Sequence, residues 1–114
     1  MIAPGLAKKV TIHLNEDTSS RSDFLSHEIL SLLLREGVAG ATLLRPAAGF
    51  GSHHRVHNQG GGIDTDRHMP LLIEFVDVPQ NVERLLPLLM ELLTDGMIEA
   101  HDTVILKAVA GKAQ

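Results

Sequence analysis

Twice in this chain a run suited to a strand is followed by an apolar stripe of helical period and then by another strand-like run, and that double alternation limits the fold more than any other feature. From Lys8 to Leu14, KKVTIHL places Val10, Ile12 and Leu14 on one side and Lys9, Thr11 and His13 on the other, the pattern of a half-buried strand. The polar stretch NEDTSSRSD follows. Within it, Ser20 and Asp23 have capping-box spacing, which lets each side chain bond a backbone amide left unpaired by the first helical turn. Beyond it, Leu25, Ile29, Leu32 and Leu33 recur at helical spacing, Phe24, Leu30 and Leu34 widen the stripe, and His27, Ser31 and Arg35 face away. Gly37 supplies the left-handed residue that commonly ends a helix.

GATLLRPAA, residues 40–48, reads as a second strand, with Pro46 requiring an edge or a bulge because it cannot donate to a ladder. PLLIEFVDV, residues 70–78, is nearly continuous in apolar residues and suits a central strand buried on both faces. Asp77 and Pro79 open a second helix, in which Val82, Leu85, Leu86, Leu89, Leu92 and Leu93 share a face, Pro87 predicts a kink or a short broken helix and Gly96 marks the close. A last strand is predicted from Thr103 to Val109, before a frayed tail. The order β-α-β-β-α-β, with two right-handed crossovers, gives an α+β fold of one domain over residues 1–114. It is a ferredoxin-like sandwich: a four-stranded antiparallel sheet with both helices on one face. Ile105, Leu44 and their neighbours would leave the other face apolar, which predicts a homo-oligomer that buries it.

With no Trp or Tyr and three Phe, the core has to be aliphatic. The absence of Cys excludes disulfides, thiolate zinc sites and a cysteine nucleophile, and suits a reducing compartment. MIAPGLAKK lacks the apolar stretch of a leader and no run reaches membrane-spanning length, so a soluble cytoplasmic protein is expected. A formal charge of −4 argues against a general nucleic-acid binder.

The second and third strands are joined by GFGSHHRVHNQGGGIDTDRHMP, residues 49–70, too poor in apolar side chains to pack its own core and expected to be a flexible loop over about residues 50–69. Gly49 and Gly51 flank Phe50, and glycines at a strand end can turn successive amides toward an anion; Arg45, Arg55 and Arg67 would add charge-assisted bonds to phosphate oxygens. Neither the Walker pattern nor the dinucleotide fingerprint is present, so a phosphate site and a plain solvated loop both remain open. His53, His54, His57 and His68 raise a metal reading beside a solvated one, since their spacing fits no specific site. Glu74, a carboxylate inside an apolar strand, needs a partner, expected to be an arginine across the sheet or a subunit boundary. No acid and base stand at convincing spacing, and no enzyme is expected.

LRPAAGFG, then RVH, then PLLIEFVD resembles the signature of the PII-like proteins of domain of unknown function 190, on Gly49, Phe50, Gly51, His57, Pro70, Glu74 and Asp77. The resemblance implies a homotrimer with its sheets turned inward, a long loop comparable to the T-loop of PII signal proteins, and a ligand cleft between subunits at the root of the loop. Relatives in the wider superfamily bind adenine nucleotides there and report the ligand through the loop to a partner, often a membrane transporter or an enzyme. The chain departs from the pattern at DRHMP, where the family has Ser-x-Asp-Leu-Pro. The resulting expectation is a non-enzymatic trimeric regulator without an obligatory cofactor. An adenine nucleotide would be its effector, held by Arg45, Gly49, Phe50, Gly51, Arg55, His57 and Glu74. The alternative is a metal-responsive trimer resembling the copper-tolerance branch of the fold, with His53, His54, His57 and His68 as ligands.

Overall fold

The computed structural model describes residues 3–15, 21–50, 57–58 and 70–111. In chain order the elements are β1 (Gly5–Leu14), α1 (Arg21–Arg35), β2 (Thr42–Leu44), β3 (Ala48–Gly49), β4 (His57–Asn58), β5 (Leu71–Asp77), α2 (Pro79–Leu92) and β6 (Gly96–Ile105). The main sheet has the antiparallel order β2-β5-β1-β6. The predicted α+β sandwich is therefore present, with β5 and β1 as its inner strands.

The core lies between one sheet face and the helices. Val10, Ile12 and Leu14 stand opposite Phe75, Ile73 and Leu71 and are sealed by Ile29, Leu32 and Leu33 of α1 and Val82, Leu85 and Leu89 of α2. α1 ends as predicted: Gly37 takes φ +85° and the Val38 amide bonds the Leu33 carbonyl at 3.1 Å, which satisfies a terminal acceptor. Phe24 and Leu34, assigned to the apolar stripe, are instead exposed at its margins. α2 is unbroken across Pro87, which lies on the exposed side; the packed Val82, Leu85 and Leu89 hold both halves of the helix on the sheet.

Three boundaries differ from expectation. β2 stops at Leu44 rather than running to residue 48, because Pro46 has no amide to give a ladder; Ala48 and Gly49 then pair with Asn58 and His57 in a separate two-stranded sheet. α2 ends at Leu92, and Gly96, expected to close it, is instead the first residue of β6. β6 thus begins at Gly96 rather than Thr103 and ends at Ile105 rather than Val109; it pairs with β1 throughout, from Leu14↔Gly96 to Gly5↔Ile105.

The face away from the helices is also more polar than predicted. Cross-strand register places Leu44, Leu72, Val76, Met97 and Ile105 on it, together with Lys9, Thr11, His13, Glu74, Glu99 and His101. β5 accordingly alternates buried and half-buried residues instead of being buried on both sides.

Asp77 explains how β5 hands over to α2. Its carboxylate is buried and accepts the Val78 amide and the Asn81 side-chain amide, each at 2.7 Å, covering donors at a helix start. Asn81 Oδ1 in turn accepts Arg84 Nε at 2.9 Å, and Arg84 Nη1 reaches Glu36 Oε1 at 2.6 Å, which ties α2 to the end of α1. Asp77→Ala leaves the Val78 amide without its acceptor and is expected to cost about 1–3 kcal/mol in urea unfolding. A cost within a few tenths, roughly that of a neutral surface change, would remove this role.

Candidate functional site

Because β1 runs antiparallel to both neighbours, its C-terminal end adjoins the starts of β5 and β6. At that end of the sheet lies a cleft of about 560 Å³. β1 contributes His13 and, just past its end, Asn15; the β5 side contributes Pro70 and Leu72; the turn before β6 contributes Thr94 and Asp95, and β6 itself Met97. Phe50, just past β3, completes the wall with a ring that remains 61 % exposed. The size and mixed lining suit a small molecule with both a flat apolar part and a polar part.

Among the described residues, two polar contacts stand at the cleft. His13 Nε2 lies 2.5 Å from Glu99 Oε2, and Asn15 Nδ2 donates to Asp95 Oδ1 at 2.5 Å. An ionised carboxylate can only accept, so the first contact places a hydrogen on Nε2 and fixes the ring. Sequence reading did not single out these residues as a site. His13 and Glu99 are 86 residues apart, Asn15 and Asp95 are 80 apart, and only the β1–β6 register brings them together.

Of the ligand residues expected from sequence, Phe50 lines the cleft. Gly49 sits in β3 opposite His57 without a positive φ, so it forms no left-handed amide cradle; a Cβ there would meet Pro70 Cγ at 3.5 Å. Arg45 is exposed and follows Leu44, which pairs with Leu72, so it belongs to the cleft end of the sheet. Glu74 lies on the face away from the helices, where its ion-pair partner is Lys9 at 3.7 Å rather than an arginine. Gly51, His53, His54, Arg55 and His68 lie outside the described residues, as does the side chain of His57. Among the described residues no group of three or more His, Asp or Glu is placed to hold a metal ion, and no helix is long and apolar enough to cross a membrane.

Residues 7–105 match the DUF190 family, described as "Uncharacterized ACR". The UPF0166 protein MJ1524 of Methanocaldococcus jannaschii is 29 % identical over 102 residues, covering 89 % of this chain and 93 % of the relative. Among solved structures, CPII of Thiomonas intermedia K12, a nitrogen regulatory PII-like protein bound to ADP, AMP and bicarbonate, superposes with TM-score 0.57 at 22 % identity, covering 93 % of this chain and 99 % of CPII. TTHA0516 of Thermus thermophilus, described as a candidate PII-like signaling protein, gives 0.64 at 16 % identity, with 92 % and 94 % covered. At these identities the structural likeness speaks for the fold.

Proposed function

Because the chain belongs to the DUF190 family, we propose that it is a PII-like regulatory protein that binds an adenine nucleotide in the cleft at the root of the 50–69 connection. The observation that carries this reading is the position of the cleft: it opens where β3 delivers Phe50 beside Pro70, at the two ends of the long connection. CPII, which shares the fold, was solved with ADP and AMP bound, and this supports the choice of ligand. The Phe50 ring offers a face on which a purine stacks, a contact worth about 1–3 kcal/mol per base. Arg45, Gly49, Gly51, Arg55 and His57 stand on or beside the same connection and supply phosphate contacts; Glu74, paired with Lys9 on the open face, acts at the subunit boundary.

In this reading the protein assembles as a homotrimer with the open faces inward, so that a neighbouring subunit closes each cleft and the connection reports occupancy to a partner, a transporter or an enzyme. It performs no chemistry of its own. Isothermal titration with ADP, AMP and ATP is expected to show one site per chain, tighter than about 1 mM, and Phe50→Ala to weaken ADP binding by about 5- to 150-fold. A folded oligomer that binds none of the three below millimolar concentration overturns the nucleotide reading. A monomer by light scattering overturns the assembly.

A further inference from the structure

Residues 106–109 have the pattern of a strand but no strand to join. TVILKAV reads as one extended run to Val109, yet its pairing stops at Ile105. In the β1–β6 register the residue opposite Leu106 is Pro4, which has no amide to donate, and Gly5 takes φ +128°, outside strand geometry. Leu106 and Val109 are left 87 % and 75 % exposed. β6 is also the last strand of its sheet, so among the described residues the outer side of Gly96–Ile105 is unpaired. That strand carries neither lysine nor proline, the residues that commonly guard such an edge.

We infer that a second copy of this chain docks along this edge, β6 against β6 and antiparallel about a two-fold axis at Thr103, and that residues 106–109 join the strand in doing so. An axis normal to the sheet keeps the helices of both copies on one side, so odd positions face odd and even positions face even, which leaves few registers. Centring on Asp102 sets that carboxylate against itself. Centring on His101 leaves Lys107 past the end of the other strand, and centring on Val104 sets Lys107 opposite His101 and Glu99 opposite Val109. Centred on Thr103, Glu99 of each copy stands opposite Lys107 of the other, Met97 opposite Val109, and Ala100 opposite Leu106. Opposite charges meet twice, and the exposed Met97, Leu106 and Val109 all gain a cross-strand neighbour in the same register. The contact uses the edge of the sheet and not its open face, so it goes beyond the functional reading above: it pairs whatever unit the open faces form.

The absence of Cys makes the register directly readable. Thr103→Cys places two thiols at opposed positions, whose Cα atoms in an antiparallel pair lie about 4.5–5.5 Å apart, within disulfide reach. His101→Cys places them four residues out of register, about 13 Å apart along the strand and out of reach. On mild oxidation of the full chain, Thr103→Cys is expected to cross-link in more than about two-thirds of chains, the limit for thiols that merely meet in threes around a three-fold axis. His101→Cys is expected to remain largely uncross-linked. Should Thr103→Cys fail to fold, the charge pair decides by sedimentation. Lys107→Glu and Glu99→Lys should each weaken the pairing about tenfold, since every contact loses two cross-strand ion pairs, and the two changes combined should restore it. Equal cross-linking at positions 101 and 103, loss of pairing that the combined swap does not restore, or a mass that never doubles up to about 1 mM protein overturns the inference. Nucleotide binding is read separately, by the ADP titration above, and none of these results alters it.

Discussion

Gly96→Ala is expected to lower the melting temperature by roughly 15 °C or more, at about 4–8 °C per kcal/mol for a domain of this size. Gly96 has φ +150°, and a Cβ built on it would stand 2.0 Å from the His13 carbonyl oxygen and 3.1 Å from its carbonyl carbon. Those are backbone atoms of β1, an inner strand paired on its other side with β5, so relief requires shifting the strand that joins the whole sheet. Gly5 provides the internal control. It has φ +128° in the same strand pair, but an added Cβ there would meet nothing within 4 Å, so Gly5→Ala brings backbone strain without a clash. We expect about 1–3 kcal/mol for Gly5→Ala and more than about 4 kcal/mol for Gly96→Ala, measured by urea or thermal unfolding at one protein concentration. Equal losses at the two positions would mean that the close approach to His13 is not what requires glycine.

The same residue shows where sequence reading stopped. Val10, Ile12, Leu14, Ile29, Leu33, Val82, Leu85 and Leu89 were identifiable from periodicity alone, because a face that packs against one partner layer repeats every two or 3.6 residues. The segment from Met97 to Asp102 has no such signal. It belongs to an edge strand with no fully buried position, and its reason for being extended is its ladder with β1, more than 80 residues earlier in the chain. Phe24 and Leu34 fail in the opposite sense: periodicity finds the centre of a helical stripe but not its width, which depends on how far the neighbouring layer reaches.

The candidate site divides along the same line. Local composition drew attention to the glycine- and histidine-rich connection, and Phe50 was reachable that way. His13, Asn15, Asp95 and Glu99 were not, since each is an ordinary strand-end or edge residue until antiparallel register sets the two ends of the chain side by side. Gly49 was read as a source of left-handed backbone and is extended instead; what the structure offers there is a close approach to Pro70. Composition can point to a segment, but pairing decides which atoms meet.

Ile12→Ala is the second large expected loss. Ile12 is fully buried in β1 and stands opposite both Ile73 of β5 and Ile98 of β6, so its side chain joins three strands beneath the helices. Truncation removes apolar area and leaves a cavity that a sheet held from both sides cannot close, at a cost of about 2–5 kcal/mol. Ile12→Val, which removes one methylene, should cost about 0.5–1.5 kcal/mol. Leu88→Ala on the outer side of α2, 38 % exposed, should cost less than Ile12→Ala because solvent fills the space it vacates. Thr11 and His13 flank Ile12 but face the other way, so the milder substitution separates packing from the site. Ile12→Val should lose stability in urea while keeping the ADP affinity of the unaltered protein. If Ile12→Ala costs no more than Leu88→Ala, the inner strand is not the element on which the sandwich depends. If Ile12→Val weakens ADP as much as Phe50→Ala does, the two faces of β1 are mechanically coupled and the cleft draws its geometry directly from the core.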